Sequence, residues 1–141
     1  MRPAIAPALY ATSPILALHD LSVVFGGPAQ LPTYAIDRVS LSIAAGEVVG
    51  IVGESGSGKS VTALSLMGLI GFASGRIVGG RIEVDGRDMT DAPEQAWRTV
   101  RGAVAAMVFQ EPMSSLNPLL TVGRQIEEAL TRRDGHRSKR W

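Results

Sequence analysis

The run Gly53-Glu54-Ser55-Gly56-Ser57-Gly58-Lys59-Ser60 limits what this chain can fold into more than any other segment. It satisfies the pattern G-x-x-x-x-G-K-[ST] at every fixed position. Val48-Val49-Gly50-Ile51-Val52 precedes it and reads as a buried strand, and Val61 to Ile70 follows and reads as a helix. The strand–loop–helix context that such a run needs is therefore expected. Three glycines let consecutive backbone N–H groups turn inward on an anion without Cβ clashes. The helix opening near Gly58 adds its positive end. Lys59 offers a mobile cation to the outer phosphates, the Ser60 hydroxyl can ligate Mg²⁺, and Val61 begins the apolar part of the helix. A chance match arises in on the order of one per cent of chains this short. A Gly/Ser turn with no ligand is thus the weaker reading, and a nucleotide phosphate site the stronger.

Composition narrows the partners. The net charge is +1, so no long-range field points at nucleic acid or an acidic protein. Cysteine is absent, which excludes disulfides, thiolate zinc sites and Fe–S clusters and suits a reducing compartment. The longest apolar run, Val61 to Ala73, is interrupted by Ser65, Gly68 and Gly71 and is too short to span a bilayer. At the N-terminus Pro3, Pro7 and Pro14 break any signal-peptide core, so residues 1–14 are expected to be a disordered leader.

A single domain is expected over 15–130. Ile15 to Phe25 reads as a strand, Gly26 to Thr33 as a loop, and Val39-Ser40-Leu41-Ser42-Ile43 alternates apolar against serine. The helix from Lys59 to Ile70 is apolar nearly all round and should be buried. Gly71 to Gly80 reads as a loop and Arg81 to Gly86 as a short strand. Asp91 is the expected N-cap of a helix that stops at Arg101-Gly102. Val104-Ala105-Ala106-Met107-Val108-Phe109 reads as a covered parallel strand. Thr121 is expected to cap a last amphipathic helix carrying Val122, Ile126, Ala129 and Leu130. The segment 131–141 packs basic residues into a tail that reads as a frayed, solvated end rather than a binding arm.

Outward from the phosphate loop, the chain resembles the ATP-binding subunit of an ABC transporter, of the oligopeptide/dipeptide/nickel importer type. The loop with Val61-Thr62-Ala63-Leu64 carries the resemblance, together with Phe109-Gln110-Glu111-Pro112-Met113-Ser114-Ser115-Leu116-Asn117-Pro118. It extends from about Ile15 to Leu130 and covers roughly the first half of a nucleotide-binding domain. The resemblance implies an α/β fold, a P-loop NTPase core with an antiparallel β lobe, truncated before the second half of the ABC ATPase domain. It implies ATP and Mg²⁺ as ligands, with Ser60 and Gln110 at the metal and Gln110 also at the attacking water. Phe25 falls where the family stacks an aromatic ring on adenine, with Tyr34 as the competing candidate and a packing role for Phe25 also open. The implied partners are membrane permease subunits and a second ATP-binding subunit, with no nucleic acid, on the cytoplasmic face of the cell membrane.

Parts of the family pattern are missing from the sequence. There is no Ser-Gly-Gly-Gln signature run and no four-residue apolar run ending in Asp-Glu. His19 and His136 fit no switch position and read as surface residues. The expectation is a transport ATPase component that, as these 141 residues, binds nucleotide weakly and does not hydrolyse it. The alternatives are a non-catalytic nucleotide-binding fragment and another P-loop NTPase.

Overall fold

Three strands break their apolar alternation by one residue at the same level, and the sheet is built around that break. In Leu16–Phe25 (β1), Leu18 and Leu21 enter the same core cluster although three residues apart, and a regular strand would place them on opposite faces. Thr33–Ile43 (β2) repeats the offset with Ile36 and Val39, and Gly75–Val84 (β3) with Ile77 and Ile82. Each strand absorbs the extra residue in a left-handed conformation: Asp20 (φ 47°), Arg38 (φ 50°) and Gly80 (φ 85°). A side chain at position 80 would lie 2.4 Å from the Asp20 carbonyl oxygen, so the middle strand's bulge requires glycine beside it. The Ser40 hydroxyl accepts from the Asp20 N–H (2.9 Å) and the Ser22 hydroxyl from the Arg38 N–H (2.9 Å), which pairs donors that the bulges remove from the ladder.

The computed structural model describes residues 14–26, 31–110 and 116–134, the last four by backbone alone. With Arg87–Asp88 (β4) the strands form one antiparallel sheet in the order β2-β1-β3-β4. One face packs on helix Lys59–Leu66 (α1), a 3₁₀ turn at Ile70–Ala73 and helix Glu94–Val100 (α2). Leu18, Leu21, Val23, Ile82 and Val84 meet Leu66, Met67, Ile70, Trp97 and Val100 there. Val122–Asp134 (α3) follows, running through the first residues of the segment read as a tail. The Arg124 N–H donates to the Thr121 hydroxyl (3.4 Å), so Thr121 caps α3 as its sequence predicts. The leader over 1–13, the tail beyond Asp134 including His136, and Glu111 to Ser115 lie outside the described residues.

Several expectations are corrected. Val48–Val52 is not a buried strand: it pairs with nothing among the described residues, and Val48 and Val52 are 97% and 93% exposed. Val104–Phe109 is likewise no strand; Ala105 alone is buried and makes one isolated bridge to Arg101. Both segments have strand propensity, but a parallel strand needs a ladder on its flanks, and the described residues supply none. The antiparallel strands instead run longer than their patterns suggest. β2 begins at Thr33, and β3 takes most of the stretch read as a loop from Gly71 to Gly80.

Helix α1 ends at Leu66 rather than Ile70 because Gly68 takes a left-handed conformation (φ 62°). Its N–H donates to the Ser65 carbonyl (3.0 Å) and the Leu69 N–H to the Leu64 carbonyl (2.9 Å), the paired closure of a Schellman motif. Burial of α1 is one-sided, with Thr62, Ser65 and Leu66 inside. For α2 the cap position is Pro93 in extended conformation, not Asp91, and no side chain caps the helix.

Candidate phosphate-binding site

The loop between Gly53 and Ser60 is assembled by its glycines and anchored on the antiparallel sheet. Gly56 (φ 82°) and Gly58 (φ 89°) are left-handed, and the Ser57 N–H closes a turn on the Glu54 carbonyl (3.2 Å). Gly58 cannot be replaced without strain. A methyl group there would lie 2.5 Å from Ile36 Cγ2 and 2.7 Å from the Ala35 carbonyl oxygen, both on β2. A side chain at Gly53 would meet the Ser57 hydroxyl at 2.6 Å, a contact that rotation of that hydroxyl relieves, so the strict requirement for glycine falls on Gly58. The Gly58 carbonyl accepts both from the Thr62 N–H (2.8 Å) and from the Thr62 hydroxyl (3.0 Å). This buried bond fixes the step from loop into helix, and sequence reasoning passed over it although Thr62 stands one helical turn after the last glycine.

Lys59 opens α1 and folds back over the loop. Its ammonium donates to the Gly53 carbonyl (2.8 Å), the Glu54 carbonyl (2.6 Å) and more weakly to the Ser57 hydroxyl (3.4 Å). The cation is thus held inside the ring of backbone that an anion would enter, at the positive end of the helix. Ser60 is exposed in the first turn and Val61 is half-buried beside it. Glu54, Ser55 and Gly56 are solvent-exposed at the rim. A cleft of about 440 Å³ runs from this loop along β2, lined by Gly53, Ser57, Lys59 and Thr62 and, on its apolar side, by Ile36 and Leu41.

The structure gathers the phosphate loop but not every predicted site residue. Gln110 is exposed, and no hydrogen bond links it to Lys59 or Ser60. Phe25 ends β1 half-buried against the core, near Ile70, with its Cζ 3.1 Å from where a Gly75 side chain would begin. Tyr34 stands on the neighbouring strand, 59% exposed, paired in register with Val24. His19 is a surface residue, 3.4 Å from the Glu83 carboxylate. Among the described residues no group of three His, Cys, Asp or Glu side chains forms a metal-holding cluster. No helix among them is long and apolar enough to cross a membrane.

Comparison with known proteins places this geometry. The ABC transporter family model matches residues 36–140. The peptidoglycan transport ATP-binding protein YejF of Agrobacterium fabrum is 51% identical over 121 residues, 84% of this chain and 22% of that protein. The dipeptide transport ATP-binding protein DppD of Escherichia coli is 49% identical over 127 residues, 89% of this chain and 38% of that protein. The chain therefore spans between about a fifth and two fifths of the length of these curated relatives. In solved structures, the dimeric cassette MJ0796 superposes with a TM-score of 0.69 at 27% identity, covering 88% of this chain and 50% of its own. The same cassette in a post-hydrolysis state bound to ADP and Pi superposes with a TM-score of 0.65. The expected α/β P-loop architecture with its antiparallel lobe is thus the N-terminal half of a known cassette fold.

Proposed function

Because the chain belongs to the ABC transporter family, we propose that it is the nucleotide-binding part of a peptide importer's ATP-binding component. The observation that carries this reading is Lys59, held at the head of α1 within the carbonyls of Gly53 and Glu54, where phosphate oxygens would replace those partners. The residues fit the ligand. Gly58 keeps the close approach of the loop to β2 that a side chain would block, and the donor set is backbone N–H groups plus one ammonium. Lys59 would hold the outer phosphates, and Ser60 with Gln110 would hold Mg²⁺, which when bound neutralises developing phosphate charge. Phe25 would meet the adenine ring, with Tyr34 as its competitor on the paired strand.

Identity of about 50% to proteins named for dipeptide and peptidoglycan transport supports a peptide-like solute. The dimeric neighbour supports a second ATP-binding subunit as partner, with membrane permease subunits completing an assembly at the cytoplasmic face of the membrane. Hydrolysis in such an assembly would draw on a water-orienting carboxylate and a signature loop that these residues do not provide.

Titration with fluorescent ATP tests the binding step. Charge-assisted bonds from Lys59 to phosphate contribute about 1.5–3 kcal/mol, so Lys59→Ala should weaken ATP about tenfold to a hundredfold. Equal affinities for the two forms would remove the assignment.

A further inference from the structure

The end of α1 opposite the phosphate loop is held as tightly as the loop end, and by one side chain. The Arg101 guanidinium donates to the Met67 carbonyl (2.8 Å, from Nε) and the Gly68 carbonyl (3.0 Å, from Nη2). These carbonyls lie at the C-terminal end of the helix, where cations are favoured and unpaired acceptors remain. The same guanidinium makes a two-pronged pair with Glu94, at 2.7 and 3.0 Å, in the first turn of α2. It also lies 5.8 Å from the centroid of the buried Trp97 ring. That ring in turn lies flat on Gly68: a side chain there would fall 2.2 Å from Trp97 Cδ2.

Arg101 is at the same time the first residue of the connector toward Gln110. Its backbone N–H bonds the Trp97 carbonyl, and its bridge to Ala105 closes the turn that starts the connector. One residue thus touches the helix that carries the phosphate loop, the helix after it, and the segment that ends at Gln110.

We infer that Arg101 is a positioning residue, which locks α1 to the base of the Gln110 connector so that events at the phosphate loop reach that connector through a rigid two-turn helix. The lock rests on the structure alone; its use in nucleotide binding rests on the function proposed above. Lysine cannot replace it, since an ammonium carries no planar fork able to reach two carbonyls and a carboxylate together.

Hydrogen exchange on the 141-residue chain, resolved to single amides, separates the two claims. Without nucleotide, Arg101→Met should speed exchange at Gly68 and Leu69 and at Gly102, Val104 and Ala105 by a common factor, about threefold to tenfold for coupling of this kind. Acceleration confined to Gly102–Ala105 would overturn the lock. With Mg-ATP, the wild type should slow exchange at Gly102, Val104 and Ala105. Arg101→Met should bind ATP within about threefold of wild type, since Arg101 does not touch the loop, yet lose that response. A residue that only stabilised the fold would raise exchange in both states and leave the response intact. Should Arg101→Met fail to fold, Arg101→Lys decides: a response equal to wild type overturns the inference, and one cut by half or more supports it. If Lys59→Ala binds ATP as well as wild type does, the proposed function fails, while the nucleotide-free arm still tests the lock.

Discussion

The antiparallel lobe and the two apolar segments Val48–Val52 and Val104–Phe109 have similar strand propensity and opposite fates. β1 is registered on both sides, by β2 and by β3, and Leu21 and Val23 are fully buried. Val48–Val52 and Val104–Phe109 are as rich in valine and as free of proline, yet Val52 and Val108 stand about nine-tenths exposed. A strand is stabilised by cross-strand pairs and by the layer packed on its face, so propensity without a neighbour leaves it extended and wet. The phosphate loop sits between the two regimes. It borrows rigidity from β2 through Gly58 and from α1 through Thr62, while the segment that leads into it has no ladder among the described residues.

The sharpest way to break this comparison is to delete the same kind of group on each side. Leu21→Ala removes a fully buried side chain from the registered lobe and should cost about 2–5 kcal/mol in urea unfolding. Val52→Ala shortens a side chain that is 93% exposed and should shift stability by less than about 0.5 kcal/mol. Similar losses at both positions would show that Val48–Val52 is paired and covered in solution, and the contrast would disappear.

Much of the site was legible in the sequence because it is local. The phosphate loop, the glycine stop after α2 and the Thr121 cap each depend on residues within a turn or two of one another. Elements that depend on distant partners were not legible. Gly71 to Gly80 reads as a loop, yet Gly80 is there because the Asp20 backbone of β1 leaves no room for a side chain. Gly68 lies within the stretch Lys59 to Ile70 that reads as one helix, and its left-handed role appears only with Trp97 packed over it. Arg101 bonds carbonyls 33 and 34 residues earlier in the chain, a contact that no periodicity announces. The segments at Val48 and Val104 read as strands and are not, for the converse reason: their local signal is strong and the described residues supply no partner strand.

A smaller effect tests whether the registered lobe is scaffold alone or also reaches the ligand. Phe25 is the last residue of β1 and half-buried near Ile70. Phe25→Leu keeps an apolar side chain and loses the ring face, so adenine nucleotides should weaken by about 0.5–1.5 kcal/mol while inorganic triphosphate is unchanged. If both ligands weaken together, Phe25 acts by packing, and the comparison sharpens to one in which the lobe supports the loop without touching the base. Tyr34→Leu then becomes the variant that separates the two rings.

The smallest effect concerns the point where the second unpaired segment is tied down. The hydrogen bonds from Arg101 hold the Glu94 carboxyl below its usual range, aided by the charges of Arg101 and Arg98. A carboxylate with a depressed folded-state pKa contributes stability that is fully present above its unfolded value, about 4.3, and is lost as pH falls through the folded one. Asp88 shifts in the same direction through its bonds with Thr90, so the lobe loses stability in the same acid window for a separate reason. Glu94→Gln leaves Asp88 in place and removes only the Glu94 contribution. Thermal unfolding of wild type and Glu94→Gln from pH 6 to pH 3 should therefore give curves that differ most at the pH 6 end and converge as the pH falls below the unfolded value of about 4.3. Because Glu94 is exposed, the difference should amount to no more than a few degrees. Curves that stay parallel through the acid range would mean that the Arg101–Glu94 pair does not persist in solution, and that the base of the connector is held by Trp97 and the α1 carbonyls alone.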